Sequence, residues 1–203
     1  MTALSASKVR KFIRQWRRRY PLPYAWVGNA ANRQCRKSEE KWLAQFDGTA
    51  QLRRRQIVAL IDWRFAHDAS RREKALRGVT GPRESGHAKR CIKKALAASG
   101  ENAALRFLVE NEGGIPGWGA AMSSAVLAAC RPEVYLVADH RALRSLDALG
   151  LYTPRHTDEF TSVDWWPYLR ICRRLAHSCG VSLREVGQAL RAAADDAPKL
   201  PKD

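Results

Sequence analysis

The chain has 203 residues, with 36 Lys and Arg against 20 Asp and Glu, giving a formal net charge of +16. Hydrophobic residues make up 45%, enough to bury a core, which excludes a disordered basic tail. No apolar run approaches the roughly 18–20 residues of a membrane span, and charged residues follow Met1–Ser7 directly, so no secretory leader is expected. The charge points to a polyanionic partner, either nucleic acid or an anionic membrane surface. Cysteines stand at 35, 91, 130, 172 and 179, an odd and scattered set without a CxxC pair. That pattern predicts reduced thiols in a cytoplasmic protein and no metal or iron–sulfur site.

In chain order the sequence reads as helices. Val9, Phe12, Ile13, Trp16 and Tyr20 recur at steps of three and four, making an apolar stripe opposite a basic face of Lys8, Arg10, Lys11, Arg14 and Arg17–Arg19. Pro21 and Pro23 end this helix. Ser38-Glu39-Glu40 opens a short helix toward Phe46, Asp47-Gly48 closes it, and Thr49 is the expected cap of a helix over 51–67. Ser70-Arg71-Arg72-Glu73 reads as a capping box, with Gly78 as its helix stop. A basic helix over 82–99 is stopped by Gly100, and a short one over 102–111 follows. Ala120–Cys130 carries no charge and many small residues, so it is predicted to be buried. Tyr135–Ala138 is a brief extended piece, and Asp139 begins a helix through Ala148 with Gly150 as its stop. Helices over 164–179 and 184–194 complete the fold, the last opened by a second capping box, Ser182 to Glu185. The predicted fold class is all-α, with residues 196–203 as a frayed tail.

Between two of these helices stands Gly113-Gly114-Ile115-Pro116-Gly117-Trp118-Gly119. Gly117 and Gly119 are expected to take positive φ, and Pro116 fixes the approach. Such a turn is either an ordinary helix–helix connection or a concavity of backbone amides that binds a phosphate oxygen at a helix N-terminus.

The pattern Gly114-Ile115-Pro116-Gly117-Trp118-Gly119 resembles the helix-hairpin-helix of DNA-binding proteins. Together with the small-residue helix, the extended segment and Asp139 in Ala138-Asp139-His140-Arg141, it resembles the helix-hairpin-helix base-excision DNA glycosylase superfamily, over about residues 113–148 and more loosely back to about residue 50. The resemblance implies two helical lobes with the active site between them: residues 1–47 plus 150–195 form one lobe, and 48–149 the other. It also implies a catalytic role for Asp139. Where the superfamily's strand-cutting members carry a Schiff-base lysine this chain has Ala121, so the implied chemistry is hydrolytic and monofunctional. It implies no cofactor, with a monovalent cation at the hairpin as the one candidate, no metal in the active site, and a monomer acting on double-stranded DNA.

Removing a base passes through an oxocarbenium-like sugar, which a carboxylate stabilises or to which it directs water. Asp139 at a helix N-terminus suits that role, and equally suits a plain N-cap. Asp62, in Leu60-Ile61-Asp62-Trp63-Arg64, is either a second acid that protonates the departing base or a partner of a nearby arginine. A base-extracting protein also needs a wedge, an aromatic pocket and phosphate contacts. Arg64, Phe65 and His67, in the turn over 64–70, are wedge candidates, Arg64 and His67 also DNA-binding candidates; Trp26 and Trp63 are pocket candidates. Gly114, Gly117, Trp118, Gly119 and Arg141 are assigned to DNA, Trp118 because it stands at the hairpin. Trp16, Trp63 and Trp166 also fit apolar core patterns.

Two other readings use the same residues. A non-catalytic DNA-binding module needs the charge and the hairpin only. An amphipathic anchor over residues 7–20 would place the protein on a membrane surface, but leaves the hairpin and Asp139 unexplained. The DNA readings expect affinity to fall steeply with salt as condensed counterions are released. The excised base, damaged or enzymatically modified, is set by pocket residues the sequence does not order.

Overall fold

The computed structural model describes residues 6–19, 39–66, 68–155 and 160–194. They form an all-α fold with ten helices and, among the described residues, no strand. The helices are α1 (Ala6–Arg17), α2 (described over 39–43), α3 (Arg54–Arg64), α4 (Ala69–Arg77), α5 (Pro82–Ala97), α6 (Glu101–Arg106), α7 (Ala120–Cys130), α8 (His140–Ala148), α9 (Ser162–Cys179) and α10 (Leu183–Ala193). Short 3-10 turns occupy Ala44–Phe46 and Glu110–Glu112.

The chain divides into two compact units. The central unit comprises Phe46–Ala138 and Thr161–Trp166; the terminal unit comprises the described residues of Met1–Gln45, Asp139–Phe160 and Pro167–Asp203. The expected lobes placed 139–149 centrally. Instead α8 packs on α10 within the terminal unit, because it buries Ala142, Leu143 and Leu146, and Ser145 Oγ donates to Leu190 O at 2.6 Å. Thr161–Trp166 goes the other way: the Trp165 ring stacks on Tyr135 in the central unit, 6.4 Å between centroids.

The central unit is built around α7. Ten of its residues are buried, as a helix apolar on every side requires, and α3, α5 and α6 cover it. Its C-terminal carbonyls need partners: Leu127 O accepts from Arg131 N at 2.8 Å, and Cys130 O from Gly48 N at 2.9 Å. Gly48 has φ 69, a left-handed conformation that glycine adopts without strain. The expected caps shift by a few residues. Arg53 rather than Thr49 precedes α3, its amide held by Gln56 Oε1 at 2.9 Å. Asp68 rather than Ser70 caps α4, accepting from Arg71 N. Gly100 is the N-cap of α6 rather than the stop of α5, and the segment 102–111 breaks into α6 and the turn at Glu110–Glu112.

In the terminal unit α1 buries Val9, Phe12, Ile13 and Trp16 and packs along α10, which buries Val186, Ala189, Leu190 and Ala193. Arg17, at the end of the stripe, pairs with Glu185 at 2.5 Å and Glu40 at 3.4 Å. The capping box of α10 is formed on both sides, Glu185 N to Ser182 Oγ and Ser182 N to Glu185 Oε2. Lys8, Arg10, Lys11, Arg14 and Arg18 stay exposed. No helix among the described residues is long and apolar enough to cross a membrane.

Cys91, Cys130, Cys172 and Cys179 are free and buried; Cys35 lies outside the described residues. Burial pushes the Cys130 thiol up to about 12 and raises those of Cys91 and Cys172. Their raised folded values leave stability intact below the ordinary thiol value of 9.0 and erode it as pH rises from there through the folded values. A Cys35→Ser variant is expected to show no rapid reaction with DTNB near about pH 8 and to react at four thiols once unfolded. Its urea midpoint should fall as pH is raised above 9.0.

Candidate functional site

Two clusters carry the residues singled out in the sequence: the glycine turn in the central unit and Asp139 at the start of the terminal unit.

The turn is a backbone hairpin. Leu108 O accepts from Ile115 N and Val109 O from Gly114 N, each at 3.0 Å, and Glu110 N donates to Trp118 O at 2.8 Å. Positive φ falls on Gly113 and Gly117, both at 80°, and not on Gly119, which is extended at φ −99°. Gly114 and Gly117 also provide room: a methyl on Gly114 would overlap the Leu108 and Val109 backbone, and one on Gly117 the Lys74 carbonyl. His87 Nε2 lies 2.9 Å from Gly114 O and fixes the turn to α5. Gly119 is exposed, with nothing near where a side chain would stand.

Trp118 corrects the sequence expectation. It is 1% exposed, and its Nε1 donates to Ala75 O at 3.1 Å. The indole is the core anchor that ties the turn to α4, not a side chain offered to a ligand. What the turn presents is backbone. The amides of Gly117, Gly119, Ala120 and Ala121 have no acceptor among the described residues, and they stand at the positive end of α7. Around them α4 exposes Arg71, Arg72, Lys74 and Arg77, with Lys74 Nζ 3.7 Å from Glu110 Oε2. For a cation at the hairpin, the carbonyls of Leu108, Val109, Gly114, Ile115 and Trp118 each already meet a protein nitrogen.

Asp139 is 6% exposed and is the N-cap of α8. Its Oδ1 accepts from Arg141 N at 2.9 Å, and Arg191 Nε on α10 stands 3.5 Å from Oδ2. His140 Nδ1 is 3.9 Å from Oδ1. A backbone donor and a guanidinium thus face the two carboxylate oxygens. The peptide leading into Asp139 is held from both sides. Ala138 N donates to Ser124 Oγ at 2.7 Å, and Ala138 O accepts from Arg64 Nη2 at 3.1 Å. Arg64 Nε also reaches Ala121 O at 3.4 Å.

Arg64 is therefore committed to the backbone around α7, which corrects its expected role as a wedge. Asp62 forms an ion pair with Arg72 at 2.8 Å, both half-exposed, the simpler of its two readings. Trp63 and Trp166 are half-buried, while Trp16 and Trp165 are core. Arg141 is half-buried, and its backbone amide serves Asp139. Trp26 and His67 lie outside the described residues.

Three residues escaped the sequence reading: Ser124, Gln188 and Arg191. A serine in an otherwise apolar helix signals a buried hydroxyl that must find a partner, so Ser124 was detectable in kind. Arg191 pairs across two helices far apart in sequence, and no spacing rule marks it. The chain matches no protein-family model, no curated protein and no solved structure.

Replacing Trp118 by Phe keeps an aromatic ring but leaves Ala75 O without its donor. It is expected to destabilise the protein by about 1–3 kcal/mol in urea titration.

Proposed function

We propose that this protein is a monofunctional DNA glycosylase of the helix-hairpin-helix kind, which hydrolyses the N-glycosidic bond of a damaged or modified base in double-stranded DNA. The observation that carries the reading is the doubly held Ala138 peptide that delivers a buried, capped carboxylate at Asp139. Catalysis depends on such fixed placement, since a displacement of about 1 Å can cost on the order of 100-fold in rate.

In this reading the amides at Gly117–Ala121 and the basic residues of α4 grip the phosphate backbone. The target nucleotide leaves the stack. As the bond from C1′ to the base nitrogen breaks, its electron pair departs with the base, which takes a proton from solvent, the proton that Asp139 removes from the attacking water being returned to solvent in turn. Positive charge develops on the sugar, and the Asp139 carboxylate stabilises it and accepts a proton from the water that adds at C1′. Ala121 occupies the place where a lysine would divert the reaction to strand cleavage, so the product is an abasic site. Arg191 holds the carboxylate before DNA arrives, and Arg141 contributes its amide. The partner is DNA, the protein acts in the cytoplasm as a monomer, and the role is repair or defence against DNA with modified bases.

A second reading has one observation in its favour. The Asp139–Arg191 pair and the cap on α8 are also what a purely structural aspartate would make, and a non-catalytic DNA-binding module would keep them.

The readings separate on base release. Duplexes carrying single modified bases are incubated with the protein, then treated with alkali and heat. Strand breaks should appear only after that treatment, and Asp139→Asn should slow release by at least about 100-fold. Release at the wild-type rate by that variant removes Asp139 from the chemistry, and breakage without alkali removes the monofunctional assignment. Arg64→Ala should slow release by about 10–100-fold with little loss of DNA affinity, because it frees the peptide before Asp139 rather than a DNA contact.

A further inference from the structure

The terminal unit holds a polar side chain that the fold does not use. Gln188, in the middle of α10, is 6% exposed, and its Oε1 is buried with no hydrogen-bond partner among the described residues. An amide oxygen in that state forfeits protein and water bonds alike, and native proteins rarely leave such an atom in place without a reason. It is not needed for packing, since leucine or methionine would fill a similar volume without the penalty. Its location is informative. Three residues further along the same helix, hence on the same face one turn away, stands Arg191, whose Nε is 3.5 Å from Asp139 Oδ2.

We propose that Gln188 reads the Watson–Crick edge of the extruded base. This rests on the glycosylase reading of Asp139 and names the substrate class of that same site. A flipped base has lost its pairing partner, and its hydrogen-bonding edge is what a protein has available to recognise. A glutamine amide offers one acceptor and two donors, which match an edge where an N–H stands beside a carbonyl or ring-nitrogen acceptor. Oε1, the orphaned atom, takes the N–H; Nε2 donates to its neighbour. A base altered on that edge loses the match. The substrates are therefore bases altered elsewhere, at C5 of a pyrimidine or on the five-membered ring of a purine, with the pairing edge intact.

The experiment uses the full chain and two sets of duplexes. One set carries C8-oxidised guanine, C5-hydroxymethyluracil or C5-hydroxymethylcytosine; the other carries N1-methylguanine or N3-methylthymine, whose edge N–H is replaced by methyl. Base release and competition binding are both measured for the wild type, Gln188→Leu and Gln188→Met. The wild type should bind at least one duplex of the first set about tenfold or more better than the second set and release its base. Both variants should lose that preference while gaining resistance to urea, because an orphaned polar group has been removed. Retained preference in both variants, or release of an N-methylated base, overturns the role of Gln188 and leaves the glycosylase reading standing. Preference that depends on Gln188 without any release does the reverse. Neither preference nor release sinks both.

Discussion

Everything in the central unit answers to the burial of α7. A helix of small and apolar side chains without a single charge gains nothing from water on any face, so α3, α5 and α6 close over it. Burial removes solvent from its C-terminal end as well, and the carbonyls there must be satisfied by protein. The C-terminal carbonyls find Gly48 and Arg131. Near the other end, Ala121 O takes Arg64. Ser124, one of few hydroxyls in the helix, spends its oxygen on Ala138. The segment that ends at Asp139 is thus placed by the same constraint that buries the helix before it.

The glycine turn follows the same logic. With Trp118 drawn into the core by Ala75 O, and Gly114 and Gly117 pressed against neighbouring backbone, the turn has no large side chain left to display. Its outward chemistry is that of the backbone, with N–H groups at the start of α7 that meet no acceptor among the described residues. A surface made of amides at a helix start does not distinguish one sequence of anions from another. The terminal unit carries different chemistry: Asp139, the N-cap of α8, faces Arg191 on α10, and Gln188 stands one turn earlier on that helix.

The sequence made helices, and most of their ends, legible, because apolar periodicity and glycine stops are local signals. The stripe of α1, the burial of α7, the start of α8 at Asp139 and the capping box of α10 could all be read directly. Misplaced caps at Thr49 and Ser70 show where local rules compete: Arg53 with Gln56, and Asp68, are equally plausible by type, and packing chose between them. Trp118 and Arg64 were misread for a different reason. An aromatic next to glycines and an arginine at a helix end look exposed until the neighbouring elements are known. Ala75 O and Ala138 O, the acceptors that claim them, lie 43 and 74 residues away. The Asp139–Arg191 pair was invisible on the same grounds.

The pairing of α1 with α10 joins the two ends of the described chain, and Arg10 reaches Ser178 O across 168 residues. During synthesis, the apolar stripe of α1 leaves the ribosome long before its partner α10 does. At elongation rates of about 5–20 residues per second, Phe12, Ile13 and Trp16 wait roughly 10–30 seconds for the surface that buries them. The central unit's main segment is complete much earlier. A nascent chain with a basic helix and an uncovered aromatic stripe is a natural client for a holding chaperone. The contacts between α1 and α10 are therefore late and aggregation-exposed ones, far in sequence from the buried helix that organises the central unit.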